Sequence, residues 1–216
     1  TYLHLTARGQ ARSTKVRNCW SVLIQQHLAK HADRLLARRK LTSQFFMEDG
    51  FGGLDQASLE LFYRDRSQLN QEIPEDFVIA VHEGVFGIYQ KFFNDLPFVK
   101  LVKLGINESG QNFDARATII DSSFDEDINY LEYLYKEHFF PLNDKDSRDW
   151  LKTYSEEPDD SVRNKMVQDL HLKMLFDNPT VIPMFSRPYT AMARNGWSFK
   201  LPKNYVNTPF WLIQKE

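Results

Sequence analysis

With a single cysteine in 216 residues, Cys19, the chain can form no intramolecular disulfide and no thiolate-built metal site. Charge of one sign is equally lacking: 27 Lys+Arg face 29 Asp+Glu, so no global field recruits nucleic acid or an anionic membrane. Apolar runs stop far short of the ~20 residues that cross a bilayer, and the stretch from Thr1 carries no charged-then-apolar signal pattern, so a soluble product is expected. What the chain has is apolar mass. Hydrophobic residues make up 42 % and aromatics 14 %, enough to build a proper core in a chain that could hold one large domain or two small ones.

Catalytic and nucleotide-binding signatures are missing too. Gly50-Phe51-Gly52-Gly53 is not followed by Lys-Ser/Thr and does not join a strand to a helix, which excludes a phosphate-cradling loop. No serine stands between glycines as a nucleophile elbow requires. The histidines at 4, 27, 31, 82, 138 and 171 contain no HExxH; His27 and His31 are spaced for one helix face but have no third ligand nearby in the sequence, so a helix surface or interface is the expected role. Neither catalysis, a metal nor a cofactor is expected. The basic residues Arg8, Arg12, Lys15, Arg17, Arg34, Arg38 and Arg39 read as a solvated face or a lobe interface.

The pattern of apolar residues predicts an α/β domain. Tyr2 to Leu5 alternate as a strand, and Val16, Trp20, Leu23, His27 and Leu28 give a helix face that starts at Ser13-Thr14 and is expected to run to Arg38-Arg39-Lys40. Gly50 to Leu54 form a loop, with Asp55 capping a short helix that carries Leu59, Leu61 and Phe62. Phe77 to Val81, the stripe Val85-Ile88-Tyr89-Phe92-Phe93-Leu96, and Phe98 to Leu104 make a β-α-β unit with parallel strands covered on both faces. A strand over Phe113 to Ile120 follows, then a helix with Ile128, Leu131 and Leu134. A helix from Ser161 to Phe176 is expected to bury Val162, Met166, Leu170 and Met174. Thr180 to Phe185 is a strand whose Pro183 suits a sheet edge or a bulge, and an aromatic-rich tail closes the chain.

Asp125, Glu126 and Asp127 stand where a helix begins, and capping and the helix dipole explain acids there. Asp121, Ser122, Ser123 and Phe124 differ. They follow directly on the carboxyl end of a predicted parallel strand, where open α/β sheets hold ligands, and are therefore the candidate ligand-binding residues.

In order along the chain, the segments resemble the second half of the ABC-transporter solute-binding proteins of the peptide/nickel class. The hinge strand Tyr2 to Leu5 and the helix Lys15-Val16-Arg17-Asn18-Cys19-Trp20 match a "V-R-x-A-hydrophobic" landmark. Phe113-Asp114-Ala115 matches a "Y/F-D-A" strand entry, Asn178-Pro179-Thr180-Val181-Ile182-Pro183-Met184-Phe185 a "P-x-I-P-L-aromatic" run, and Asn195-Gly196-Trp197 onward a return strand. The resemblance implies one lobe of a type II periplasmic-binding-protein-like fold, a mixed sheet with helices on both faces. It divides the chain into a hinge strand and loop (1–14), an α/β lobe (15–185) and a segment returning to an N-terminal lobe (186–216). It further implies non-catalytic, extracytoplasmic capture of a peptide or other small polar ligand by lobe closure, with that N-terminal lobe and an ABC permease as partners. One departure stands out: where peptide binders carry Gly-Trp and then Asp, this chain has Ile119-Ile120 and Ser123. Val16-Arg17-Asn18-Cys19-Trp20-Ser21 is also similar to a helix of bacterial sugar-uptake regulators, whose cytoplasmic solute-binding-like domain follows a winged helix that contacts nucleic acid.

Overall fold

The computed structural model describes residues 2–5, 13–34, 40–46, 50–57, 59–60, 76–105, 113–118, 127–186, 197–199 and 213–215. Its central strand, β3 (Phe77–His82), buries Phe77, Ile79, Ala80 and Val81, so both of its faces are covered. The chain leaves β3 through a 3-10 turn, forms a helix, α2 (Phe86–Phe93), and returns as β4 (Val99–Leu104), parallel to β3 from Phe77↔Val99 to His82↔Leu104. The expected β-α-β unit is therefore present. On the other side of β3 lies β5 (Ala115–Thr118), also parallel, with Ile79 opposite Ala115. Asp114 sets that register: its N–H donates to the Val78 carbonyl and its Oδ2 accepts from the Val78 N–H, both at 2.8 Å.

The first strand, β1 (Tyr2–Leu5), runs antiparallel to β5 and to β6 (Val181–Pro183), giving a five-stranded mixed sheet ordered β4-β3-β5-β1-β6. Pro183 thus sits on an edge strand, where its missing N–H costs no ladder bond. Two short ribbons complete the sheets: β2 (Lys40–Leu41) with β7 (Phe185–Ser186), and β8 (Trp197–Phe199) with β9 (Ile213–Lys215).

Alternation along the strands sends side chains to two separate cores. Leu3, Leu5, Phe77, Ile79, Val81, Ala115 and Ile182 face a helix, α1 (Thr14–Lys30), and α2. Trp20, Ile24 and Leu28, four residues apart on α1, are fully buried there, and the Trp20 ring stacks on Phe77 at 4.6 Å. Ser13 is the N-cap of α1 but makes no side-chain cap bond; its carbonyl accepts from the Arg17 N–H instead. The helix is shorter than the basic run to Lys40 suggests. His31 leaves the helical region (φ −113°, ψ 29°), Arg34 then ties the chain across to the Lys91 carbonyl and to Asp95, and Lys40 enters a strand.

The opposite face packs on α3 (Asp127–Lys136), α4 (Asp144–Glu156) and α5 (Asp160–Leu172) through Tyr2, Leu131, Leu134, Phe139, Tyr154, Val167, Leu170 and Val181. The apolar pattern does not announce α4, because only Trp150, Leu151 and Tyr154 supply it with bulk; its start is set by Asn143, whose side chain accepts from the Asp146 N–H. After α5 the backbone widens into a π turn (Lys173–Asp177) that buries Met174, Leu175 and Phe176 in succession. Val162, expected on the buried stripe of α5, is 42 % exposed, because it lies in the first turn beyond the edge of the core.

Candidate functional site

Four registers place one end of the sheet. Tyr2 lies opposite both Thr118 and Pro183, Ala80 lies beside Arg116, and His82 lies beside Leu104. The described β3–β5 ladder ends at the Ala80–Arg116 pair, and His82 and Thr118 each lie two residues further along their strands. The carboxyl ends of the parallel strands β3, β4 and β5 therefore form one rim. The chain leaves β3 toward β4 on one side, while β5 lies on the other, so the crevice beyond His82 and Thr118 is the switch point at which open α/β sheets take ligands.

Asp121, Ser122, Ser123 and Phe124 lie outside the described residues, as do Ile119 and Ile120. They are bracketed by Thr118, at the rim, and Asp127, the first residue of α3. Phe210 and Trp211, from the aromatic tail, also fall outside, and of Trp197 and Phe199 only the β8 backbone pairing is described.

The pattern reading missed His82. It is exposed, it ends β3, and its Nδ1 accepts the Gly84 N–H at 3.1 Å. Gly84 allows this fit, since a Cβ there would stand 3.3 Å from Nδ1. The sequence signal was a polar residue ending an apolar strand, followed by Glu-Gly.

His171, His4 and His27 are structural. His171 donates from Nδ1 to the Gly52 carbonyl (2.9 Å) and accepts the Phe45 N–H at Nε2 (2.9 Å); burial holds it down at about 4. With Asn164, Gln168 and Gln44 it straps the glycine loop to α5: Gly52 N–H donates to Asn164, Gln168 donates to Gly53, and Gln44 exchanges two bonds with Leu54. His4 stacks on Phe139 at 4.0 Å and is likewise lowered to about 4 by burial. Among the described residues no cluster of His, Cys, Asp and Glu could hold a metal ion, and His27 Nε2 meets the Phe92 carbonyl at 2.5 Å, which docks α1 on α2.

A surface cleft of about 270 Å³ is lined by Phe51, Asp127, Asp160 and Arg163. It lies at helix termini and not at the strand ends, and its charges already answer one another: Arg163 pairs with Asp160 and lies over the Tyr154 ring. Partial burial raises the Asp127 carboxyl above its ordinary range.

No family model matches the sequence, and no curated protein matches it. Solved structures do. NikA from Staphylococcus aureus, in complex with Ni(L-His)2, aligns over 100 % of this chain and 51 % of its own with a TM-score of 0.57 at 11 % identity. OppA from Haemophilus influenzae, in complex with RPPGFSPFR, aligns over 87 % of this chain and 44 % of its own (TM-score 0.52, 12 % identity). The chain has the fold of the peptide/nickel solute-binding proteins. MppA, a periplasmic murein tripeptide-binding protein in its unliganded open form, agrees: TM-score 0.52 and 14 % identity over 86 % of this chain and 41 % of that one. The chain thus spans about half the length of the proteins it resembles. Those neighbours are binding proteins, and among the described residues here no helix is long and apolar enough to cross a membrane.

Proposed function

We propose that this chain forms one wall of a two-lobed solute-binding protein that captures an oligopeptide or another small polar ligand without chemistry and delivers it to an ABC permease outside the cytoplasm. The observation that carries this reading is the end-to-end match to one half of NikA, with the carboxyl ends of β3, β4 and β5 gathered at a single rim. In this reading Asp121, Ser122, Ser123 and Phe124 line the cleft from this side. An N-terminal lobe closes on them, β1 is the hinge strand, and 186–216 returns toward that lobe. A single wall leaves much of a ligand in water, so tight binding needs both lobes.

The test is to titrate the intact protein with trialanine, Ni(L-His)2 and maltotriose by calorimetry, and to repeat the best case with Asp121→Ala. A ligand bound by the intact protein and weakened roughly tenfold by that change supports the cleft assignment. Unchanged affinity removes Asp121 from it. Operator DNA binding that responds to the ligand would instead favour a cytoplasmic sensor domain behind a winged helix, the regulator reading of the Val16-to-Ser21 helix.

A further inference from the structure

No N–H inside α2 reaches its last four carbonyls, those of Gln90, Lys91, Phe92 and Phe93. The chain that follows takes two of them: Asn94 N–H donates to Gln90 and Leu96 N–H to Phe93. The other two are taken from α1 and the turn after it. Arg34 Nη1 donates to the Lys91 carbonyl at 3.0 Å, and His27 Nε2 donates to the Phe92 carbonyl at 2.5 Å. A carbonyl only accepts, so Nε2 carries the hydrogen and a second proton on the ring must go to Nδ1.

The surroundings of that ring resist a charge. His27 is 8 % exposed, the His31 ring stands 4.5 Å from it, and the Phe93 ring stacks at 6.2 Å. Among the described residues the charged and titratable groups that act on it are His31 and Arg34 from the α1 side and Asp95 from beyond α2, and Asp95 is already paired with Arg34. Burial, with His31 and Arg34 adding to it, outweighs the Phe92 carbonyl and Asp95 and holds the ring below its ordinary range. The rest of the contact is polar and shallow. The 3-10 turn Ala32–Arg34 buries no residue, and the Arg34 and Asp95 side chains are 31 % and 54 % exposed. This end of the helix pair can part while Ile24 and Trp20, one and two turns nearer the start of α1, stay covered.

We infer that His27 and Arg34 form an acid-released clasp between α1 and the end of α2: the neutral ring latches the Phe92 carbonyl, and a second proton on it lets this end open while the sheet stays folded. The fold holds the neutral ring, so the clasp is complete above the ordinary value of 6.5 and weakens as pH falls below it. The clasp does not depend on solute capture.

Amide exchange read residue by residue at pH 7 and pH 5, corrected for the intrinsic rate, tests it. The Asn94 and Leu96 amides should open roughly threefold or more readily at the lower pH and, because the opening is local, should not respond to dilute urea. His27→Gln keeps an N–H donor but takes no charge, so it should abolish that rise. Long-range proton–nitrogen spectra should show His27 as the Nε2–H tautomer, titrating below 6.5 in the natural protein and higher in Arg34→Gln. A titration at or above 6.5, one unmoved in Arg34→Gln, a rise that survives in His27→Gln, or one that grows with dilute urea overturns the clasp. The titration needs no variant and decides the matter even if His27→Gln fails to fold.

Discussion

The two faces of the central sheet are built on different principles. The face toward α1 and α2 is closed by apolar bulk, with Trp20, Ile24, Leu28, Phe77, Ile79, Phe92 and Phe93 each at most 2 % exposed. The face toward α3, α4 and α5 buries as many aromatics but is registered by polar keys: His171 between Gly52 and Phe45, Gln44 on Leu54, Asn164 on Gly52, and Thr180 on the Phe139 carbonyl. Apolar packing tolerates changes of shape that keep volume, whereas a buried key that loses its partner leaves donors or acceptors with no water to turn to. One molecule thus holds a forgiving core and an exacting one.

The largest expected effect tests the first face. Trp20→Ala removes the ring stacked on Phe77 and should cost about 4 kcal/mol in urea unfolding, while Ile79→Val should cost only about 1 kcal/mol. On the second face, His171→Leu keeps the bulk but orphans the Gly52 carbonyl and the Phe45 N–H, so a loss of about 3 kcal/mol is expected. A value near that of Ile79→Val would abolish the contrast. Gly52→Ala should cost about 2 kcal/mol or more, since Gly52 has φ +72° and a Cβ would fall 2.4 Å from Val167 Cγ1.

Acid sharpens the comparison. His171 has a folded value of about 4 against an ordinary 6.5, so the fold holds it neutral; its contribution is complete above 6.5 and drains away as pH falls toward 4. That shift corresponds to about 3 kcal/mol at most. His4 follows the same sign, and His27, lowered by burial beside α2, adds a loss on the first face. Midpoints of urea unfolding between pH 7 and 4 should fall steeply in the natural protein and less steeply in His171→Leu, and parallel curves would remove His171 from this role.

The smallest effect concerns the end of α3. His138 sits at φ 62° in the turn where Phe139 N–H reaches back to the Leu134 carbonyl, a position that favours glycine. His138→Gly should stabilise by about 0.5 kcal/mol, read as a small rise in melting temperature.

Legibility followed the same division. The β-α-β unit could be read because its pattern is contiguous: an apolar strand, a helix stripe and a Lys-alternating strand within 28 residues of chain, Phe77 to Leu104. α4 was not legible, since most of its sequence is charged and its burial is confined to Ser147 and Tyr154. The early stop of α1 was hidden too, because the chain after it answers to Lys91 and Asp95, distant in sequence. At the candidate site, the strand-end argument led to Asp121, Ser122, Ser123 and Phe124, but it passed over His82, whose ring orientation depends on a backbone N–H two residues away.

By itself the sequence determined that this is an α/β domain without disulfides, with one strand buried on both faces and Pro183 confined to a sheet edge or a bulge, because hydrophobic period and proline chemistry are local properties. Only the tertiary structure decided which strands adjoin. Register across β3, β5 and β1 is set by groups far apart in the chain, such as Asp114 on Val78, and it alone brings the carboxyl ends of β3, β4 and β5 to one rim.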